Sequence, residues 1–190
     1  MTTRLQEKFK SEIAPALQAK FGYGNVMEIP KIEKIILNVG AGPKHDYDLD
    51  SIAENLKKIT GQSPVKTLAK KSVSNFKIRD GQEIGLKVTL RGPRMYEFID
   101  RLVSLTFPRV HDFRGLSPKS FDRQGNFSIG FKDQLAFPEI TAEGMEKLHG
   151  LQVVIQTSAK TDDEGYELLK QFGFPLQERK KKSSKKSSKK

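Results

Sequence analysis

Between Leu86 and Arg91 the chain alternates strictly, with Leu86, Val88 and Leu90 apolar and Lys87, Thr89 and Arg91 polar. Successive side chains of a strand point to opposite faces, so this stretch describes a strand with one side in a core and the other in water. A sheet made of such strands takes helices on one face only, because covering the second face would strand its polar groups. The rest of the chain supplies those helices. Leu5, Phe9, Ile13 and Leu17 recur every four residues and predict a first helix, interrupted or kinked at Pro15 and ending before Gly22-Tyr23-Gly24-Asn25. Leu49, Ile52, Leu56 and Ile59 predict a second, closed by Gly61. Pro93 in a first turn, followed by Met95, Phe98, Ile99, Leu102 and Val103, predicts a third that ends near Pro108. A short helix around Glu143 to Leu148 follows, and Thr161-Asp162-Asp163-Glu164 is a capping box for a last helix through Leu168, Leu169 and Phe172.

Further strands are expected at Ile35 to Val39 after Pro30, at Pro64 to Ala69, at Asn126 to Phe131 and at Leu151 to Thr157. The first stops at Gly40-Ala41-Gly42-Pro43, and Asp122 to Gly125 reads as a hairpin turn leading into the third of these. Strands and helices mix without a regular βαβ rhythm. The expected class is therefore α+β, a largely antiparallel sheet with helices packed on one face. Residues 1–178 read as a single α+β domain, and 179–190, RKKKSSKKSSKK, as a disordered-type basic tail that has nothing to bury.

Charge is distributed unevenly. The net charge is +11, but the tail alone holds eight of the 34 basic residues, leaving 26 against 23 acidic ones in residues 1–178. Within that nearly balanced body, Lys57 to Arg94 carries ten basic residues against Asp80 and Glu83. A localised positive field is what a polyanion selects, since each neutralised phosphate releases condensed counterions; a solvated basic face that serves only solubility has the same composition. The absence of Cys removes disulfides and thiolate chemistry and fits a reducing compartment. No run approaches a membrane span, and Glu7 and Glu12 argue against a presequence, so a cytoplasmic protein without membrane contact is expected.

Enzymatic motifs fail on spacing. Gly40-Ala41-Gly42 lacks the third glycine of a nucleotide loop, where His45 stands, and no Gly-Lys-Ser/Thr follows. Asp46, Asp48, Asp50 and Glu54 lack the sixth-position Gly and twelfth-position Glu of a calcium loop and read instead as charges at a helix start. His45, His111 and His149 are isolated, and no G-x-S-x-G elbow exists. Phe127, Ile129 and Phe131 share one face and read as core rather than as a base-stacking platform. Neither a catalytic residue nor a cofactor or metal is expected.

Three pieces, ILNVGAG from Ile36 to Gly42, TGQSPVKTLAKKSVSNFKIRDGQEIGLKVTLRG from Thr60 to Gly92 and FPRVHDFRGLSPKSFDRQGNFSIGFKDQLAFPEI from Phe107 to Ile140, closely resemble the bacterial large-subunit ribosomal protein five family, which carries 5S ribosomal RNA. The resemblance runs from the first helix to Pro175. It implies a non-enzymatic component of the central protuberance that binds 5S rRNA and an arm of the large-subunit rRNA beside other central-protuberance proteins. Asn38, Gln62 and Thr89 match the family's 5S rRNA contacts, with Lys66, Lys70, Lys87 and Arg91 adding charge. The loop around 72–85, with Ser74, Asn75, Phe76, Lys77, Ile78, Arg79, Asp80 and Gly81 at its tip, matches the one that approaches P-site tRNA. Gly81 and Gly85 are expected to permit its bends, and Phe76 and Ile78 to anchor it in preference to lying against ribose. The family also bridges to a protein of the small-subunit head, ribosomal protein thirteen. Candidates here are Arg109, His111, Asp112, Arg114, Asp133, Glu143 and Glu146, whose acidic members favour a basic partner. The family pattern stops soon after the last helix, so the tail departs from it.

Overall fold

The computed structural model describes residues 3–42, 49–140 and 148–178. Five strands, β1 (Ile32–Gly40), β2 (Val65–Leu68), β3 (Glu83–Leu90), β4 (Phe127–Phe131) and β5 (Leu151–Thr157), form one sheet in the order β2-β3-β1-β5-β4. Every neighbouring pair is antiparallel. The central strand β1 sets Ile35 opposite both Leu90 and Ile155, and Leu37 opposite both Val88 and Val153. All six are buried, together with Val39, Leu86, Phe127, Ile129 and Phe131. This is the apolar side that the alternation in β3 demands, continued across the sheet.

Helices α1 (Arg4–Lys8), α2 (Ala14–Phe21), α3 (Leu49–Thr60), α4 (Gly92–Arg101), α5 (Phe107–Arg109) and α6 (Asp162–Gln171) supply the cover. α3 packs on β3 and α4 on β1, while α1 lies against α4 and α2 against α6. Their apolar stripes, Ile52, Leu56 and Ile59 on α3 and Met95, Phe98 and Ile99 on α4, are buried as the spacing predicts. Phe9 stacks on Phe172, with ring centroids 5.9 Å apart, and ties the N-terminal helices to the last one. No described helix is long and apolar enough to cross a membrane.

Pro15 does not stop its helix, whereas the helix that carries Pro93 in its first turn ends at Arg109, one residue past Pro108, as the sequence predicts. Pro15 lies inside α2 and Pro108 inside α5, each just after a widened π-type turn, Phe9–Ile13 and Leu102–Thr106 respectively. In these turns the Ala14 N–H donates to the Phe9 carbonyl and the Phe107 N–H to the Leu102 carbonyl, five residues back. A proline has no N–H and its ring crowds the carbonyl four residues earlier; widening the turn in front of it relieves the crowding and lets the helix continue. The other end signals act as read. Gly61 adopts φ 68° and its N–H donates to the Lys57 carbonyl at 2.8 Å. At α6 the Thr161 hydroxyl accepts the Glu164 N–H, while the Glu164 carboxylate accepts the N–H groups of Thr161 and Lys160. The helix expected around Glu143 to Leu148 lies outside the described residues except for Leu148, which is exposed and irregular.

Asp122 to Gly125 is a turn, but it closes only a single bridge, Phe121 opposite Phe127, because β4 takes its strand partner from β5. Asp122 organises it, accepting from the N–H groups of Gln124 (2.9 Å) and Asn126 (3.1 Å) and from the Asn126 amide (2.8 Å). Gly125, at φ 77°, then passes beneath α6, where a Cβ on Gly165 would come within 2.6 Å of the Gly125 carbonyl oxygen. Gly165→Ala is expected to cost about 1–3 kcal/mol by overpacking, read as a lower denaturant midpoint. For Asp122, partial burial acts to raise the pKa, but the Asn126 amide and the two backbone N–H groups outweigh it and hold the carboxyl below its ordinary 3.8. A depressed folded pKa contributes stability that is present above the ordinary value and lost as pH falls below it. Asp122→Asn therefore loses stability at neutral pH while showing a shallower decline between pH ~4 and the acid limit, measured by denaturation across a pH series.

Candidate nucleic-acid interface

The sheet's second face carries no helix from the described residues, and its residues are those that alternate with the core. Lys87 is exposed and Asn38 and Thr89 are half-buried. The register brings them together. Asn38 lies directly opposite Lys87 on one side and Gln152 on the other, and Ile36 lies between Thr89 and Val154. Ser128 continues the second row opposite Val154, Gly130 the first opposite Gln152, and Val65 flanks Lys87. Directly opposed residues of antiparallel strands hold their Cβ atoms about 4.5–5.5 Å apart, so Lys87, Asn38 and Gln152 form one continuous row of donors and acceptors. These two rows contain no carboxylate. Gln152 was not among the residues singled out by sequence, although the LQVVIQT alternation of Leu151 to Thr157 carries the same signal as β3.

Gln62 stands in the turn after α3, three residues before β2. The hydrogen bonds of that turn are made by Thr60, whose hydroxyl donates to the carbonyls of Leu56 (2.6 Å) and Gln62 (3.0 Å) and accepts the Gln62 N–H (3.2 Å). The backbone is thereby held without the Gln62 side-chain amide, which stays half-exposed for an outside partner.

The predicted cations separate into two groups. Lys66 lies opposite Leu86, on the helix side of the sheet. There it bridges Glu83 on β3 (3.0 Å) and Asp50 on α3 (3.1 Å), and the hydrogen bond to Glu83, then that to Asp50, raises its pKa. It ties α3 to the sheet and does not face Asn38. Lys87 faces the open side; Arg91, in extended backbone one residue beyond β3, follows Thr89 onto it, and Lys70 is exposed just beyond β2.

The basic loop is closed by its backbone. Val73 and Ile78 exchange N–H to carbonyl bonds of 2.9 and 3.1 Å, the Asp80 N–H donates to the Ser72 hydroxyl at 2.9 Å, and the Gly81 N–H donates to the Ala69 carbonyl at 3.0 Å. Ser74 to Phe76 make one tight helical turn, ended by Lys77 in the left-handed region at φ 55°. Two expectations are corrected here. Phe76 does not anchor the loop, because the cross-loop bridge already does and leaves the ring 66% exposed. Of the pair, only Ile78 is partly covered. Gly81, at φ 76°, does permit a bend, but Gly85 does not; it lies within β3, where a Cβ would come within 2.5 Å of the Val39 carbonyl oxygen, so it allows close strand approach.

Arg109, His111, Asp112 and Arg114 are exposed on the segment after α5, with Asp112 at φ 55° and the His111 Nδ1 3.6 Å from the Asp112 Oδ1. Phe113 secures that segment by stacking on Phe107 at 5.3 Å, and Phe107 also stacks on Phe131 at 6.2 Å, two residues before exposed Asp133. Asp133 and the 109–114 segment thus share one end of the sheet. Glu143 and Glu146 lie outside the described residues.

The open sheet face thus sets a row of amides and a cation near a basic loop, the donors and acceptors that the surface of a folded RNA can take. Residues 25–79 match the family model for ribosomal protein L5, and residues 83–176 match that for the ribosomal L5P family C-terminus. The large ribosomal subunit protein uL5 of Alkaliphilus oremlandii (strain OhILAs) is 56% identical over 175 residues, covering 91% of this chain and 98% of its own length. The chain belongs to the ribosomal protein L5 family. It is accordingly a structural, non-enzymatic protein of the large ribosomal subunit, working in the cytoplasm with rRNA around it. Both family segments build the one sheet, since β1 from the first lies between β3 and β5 from the second.

The separation of the lysines is testable. Lys87→Met is expected to weaken RNA binding and lower the salt slope by about 0.7–0.9. Lys66→Met is expected to leave RNA affinity within about twofold and instead to lower the unfolding midpoint. Gel shifts at several salt concentrations and a denaturation curve distinguish the two.

Proposed function

We propose that this protein binds 5S rRNA with the open face of its sheet and attaches it to the large-subunit rRNA in the central protuberance. The observation that carries this reading is the row Lys87, Asn38 and Gln152 on an uncovered sheet face. One cation followed by two neutral amides suits a folded RNA, where 2′-hydroxyls, phosphates and base edges need donors and acceptors at set positions. Thr89 and Gln62 extend the same surface, and Arg91 and Lys70 strengthen it from the margins. Residues 1–178 act as one RNA-binding body, an assignment supported by a sheet that draws strands from both family segments.

The loop around 72–85 faces P-site tRNA, supported by Lys77 and Arg79 exposed on a closed basic loop. The segment containing Arg109 to Arg114, with Asp133, forms an intersubunit bridge to ribosomal protein thirteen of the small-subunit head. Its exposed polar side chains suit a contact that slides as the subunits rotate, at the small end of protein interfaces.

Gel shifts against 5S rRNA test the first assignment. Asn38→Ala and Thr89→Ala are each expected to cost about 1–3 kcal/mol, the scale of leaving an RNA group unpaired, with unchanged unfolding midpoints. Wild-type affinity in both variants removes the assigned face. Deleting residues 179–190, with their eight cations, is expected to weaken binding to every RNA alike and to flatten the salt slope.

A further inference from the structure

The most exposed aromatic ring among the described residues stands on a loop closed by its own backbone hydrogen bonds. Phe76 is 66% exposed, yet the Val73–Ile78 bridge, the Ser72 to Asp80 bond and the Gly81 to Ala69 bond hold the backbone around it. Lys77 follows it in a left-handed conformation that only a small share of non-glycine residues adopt. An exposed ring costs favourable burial and usually retreats into a core where the chain permits. Here the loop is closed without it, so the loop presents the ring instead of using it.

The ring's surroundings restrict what it can meet. Ser72, Ser74, Lys77, Ile78, Arg79 and Asp80 line a shallow depression at the loop, with hydroxyl and cationic donors outnumbering its single carboxylate. A phosphate suits those donors, and an unstacked base is the planar, weakly hydrated partner that an aromatic ring takes beside a phosphate. A protein partner would instead call for a broader apolar surface than the loop offers, where Val73, 38% exposed, is the one exposed apolar neighbour of Phe76 and Ser74, Asn75 and Lys77 add none.

We infer that Phe76 stacks on an unpaired nucleobase of the tRNA, while the adjoining hydroxyls and cations hold that nucleotide's phosphate. This rests on the reading that the loop faces tRNA. It divides the contact into a stacking part that salt barely affects and an ionic part that salt weakens.

The test uses ribosomes whose only copy of this protein is wild type, Phe76→Leu, Phe76→Tyr or the double variant Lys77→Ala/Arg79→Ala, and it measures P-site tRNA dissociation across a salt series. Phe76→Leu keeps an apolar side chain but loses the ring, and Phe76→Tyr keeps the ring; exposure at this position leaves the fold intact in both, which a melting curve checks. The expected result is roughly fivefold or faster release with Phe76→Leu at an unchanged salt slope. Phe76→Tyr should release at the wild-type rate, and the double variant should show a reduced slope. If Phe76→Leu behaves as wild type while the double variant changes the slope, stacking is overturned and the loop still faces tRNA. If neither variant changes release, both the stacking and the tRNA-facing reading are overturned.

Discussion

The antiparallel pairing of β1 with β3 on one side and β5 on the other is the constraint on which the molecule depends. It brings Ile35, Leu37, Leu90, Val88, Ile155 and Val153 to one side of the sheet. Each such side chain contributes about 1.5–3 kcal/mol when buried, so these rows supply the reason for helices to pack there. Because the side-chain period of a strand is two, the same pairing places Asn38, Lys87 and Gln152 together on the other side. A one-residue slip of β1 would bury the amides and expose the aliphatic rows. Core and interface are therefore two consequences of one register, and the first protects the second.

The surfaces assigned to RNA differ in how they are held. On the sheet, donors and acceptors sit on a rigid lattice whose spacing is set by strand pairing, which favours shape-selective recognition of an RNA. In the basic loop, cations project from a short backbone-bonded turn, where charge attracts any phosphate, and the ring of Phe76 stands exposed beside them. Lys66 illustrates the difference between counting charges and placing them. It belongs to the basic segment by composition, yet its ammonium lies between Asp50 and Glu83 and serves to hold α3 against the sheet.

In both long helical passages a proline stands just past a widened turn: the first runs on through Pro15 to Phe21, and the second ends at Arg109 beside Pro108. Pro15 and Pro108 each follow a π-type turn, which allows α1 and α2 to continue over α4 and α6 and carries the chain from α4 to Phe107. Phe107 then joins Phe113 and Phe131, so the second widened turn decides where the exposed segment of Arg109 to Arg114 emerges. Helix-breaking residues were legible in sequence, but whether they break a helix depended on the apolar surface on either side. Where Phe9, Leu17, Phe98 and Phe107 all bury or half-bury against the core, packing outweighs the loss of a single backbone hydrogen bond.

The sequence by itself determined what is local: the two-residue and four-residue periodicities, the Gly61 and Thr161 end signals, the α+β class and the wet side of β3. These follow from backbone geometry within a few residues. It also marked Asn38 and Thr89 as polar positions in strands, while the Lys66 ion pairs and the exposure of Phe76 stayed out of reach. Only the tertiary structure decided strand order and register, since which residue of β5 meets Asn38 is a matter of pairing between distant segments. Gln152 joins the row of Asn38 and Lys87, Lys66 turns to the helix side and Phe76 remains uncovered for the same reason. Each outcome depends on what the rest of the chain places opposite, and no local pattern encodes that.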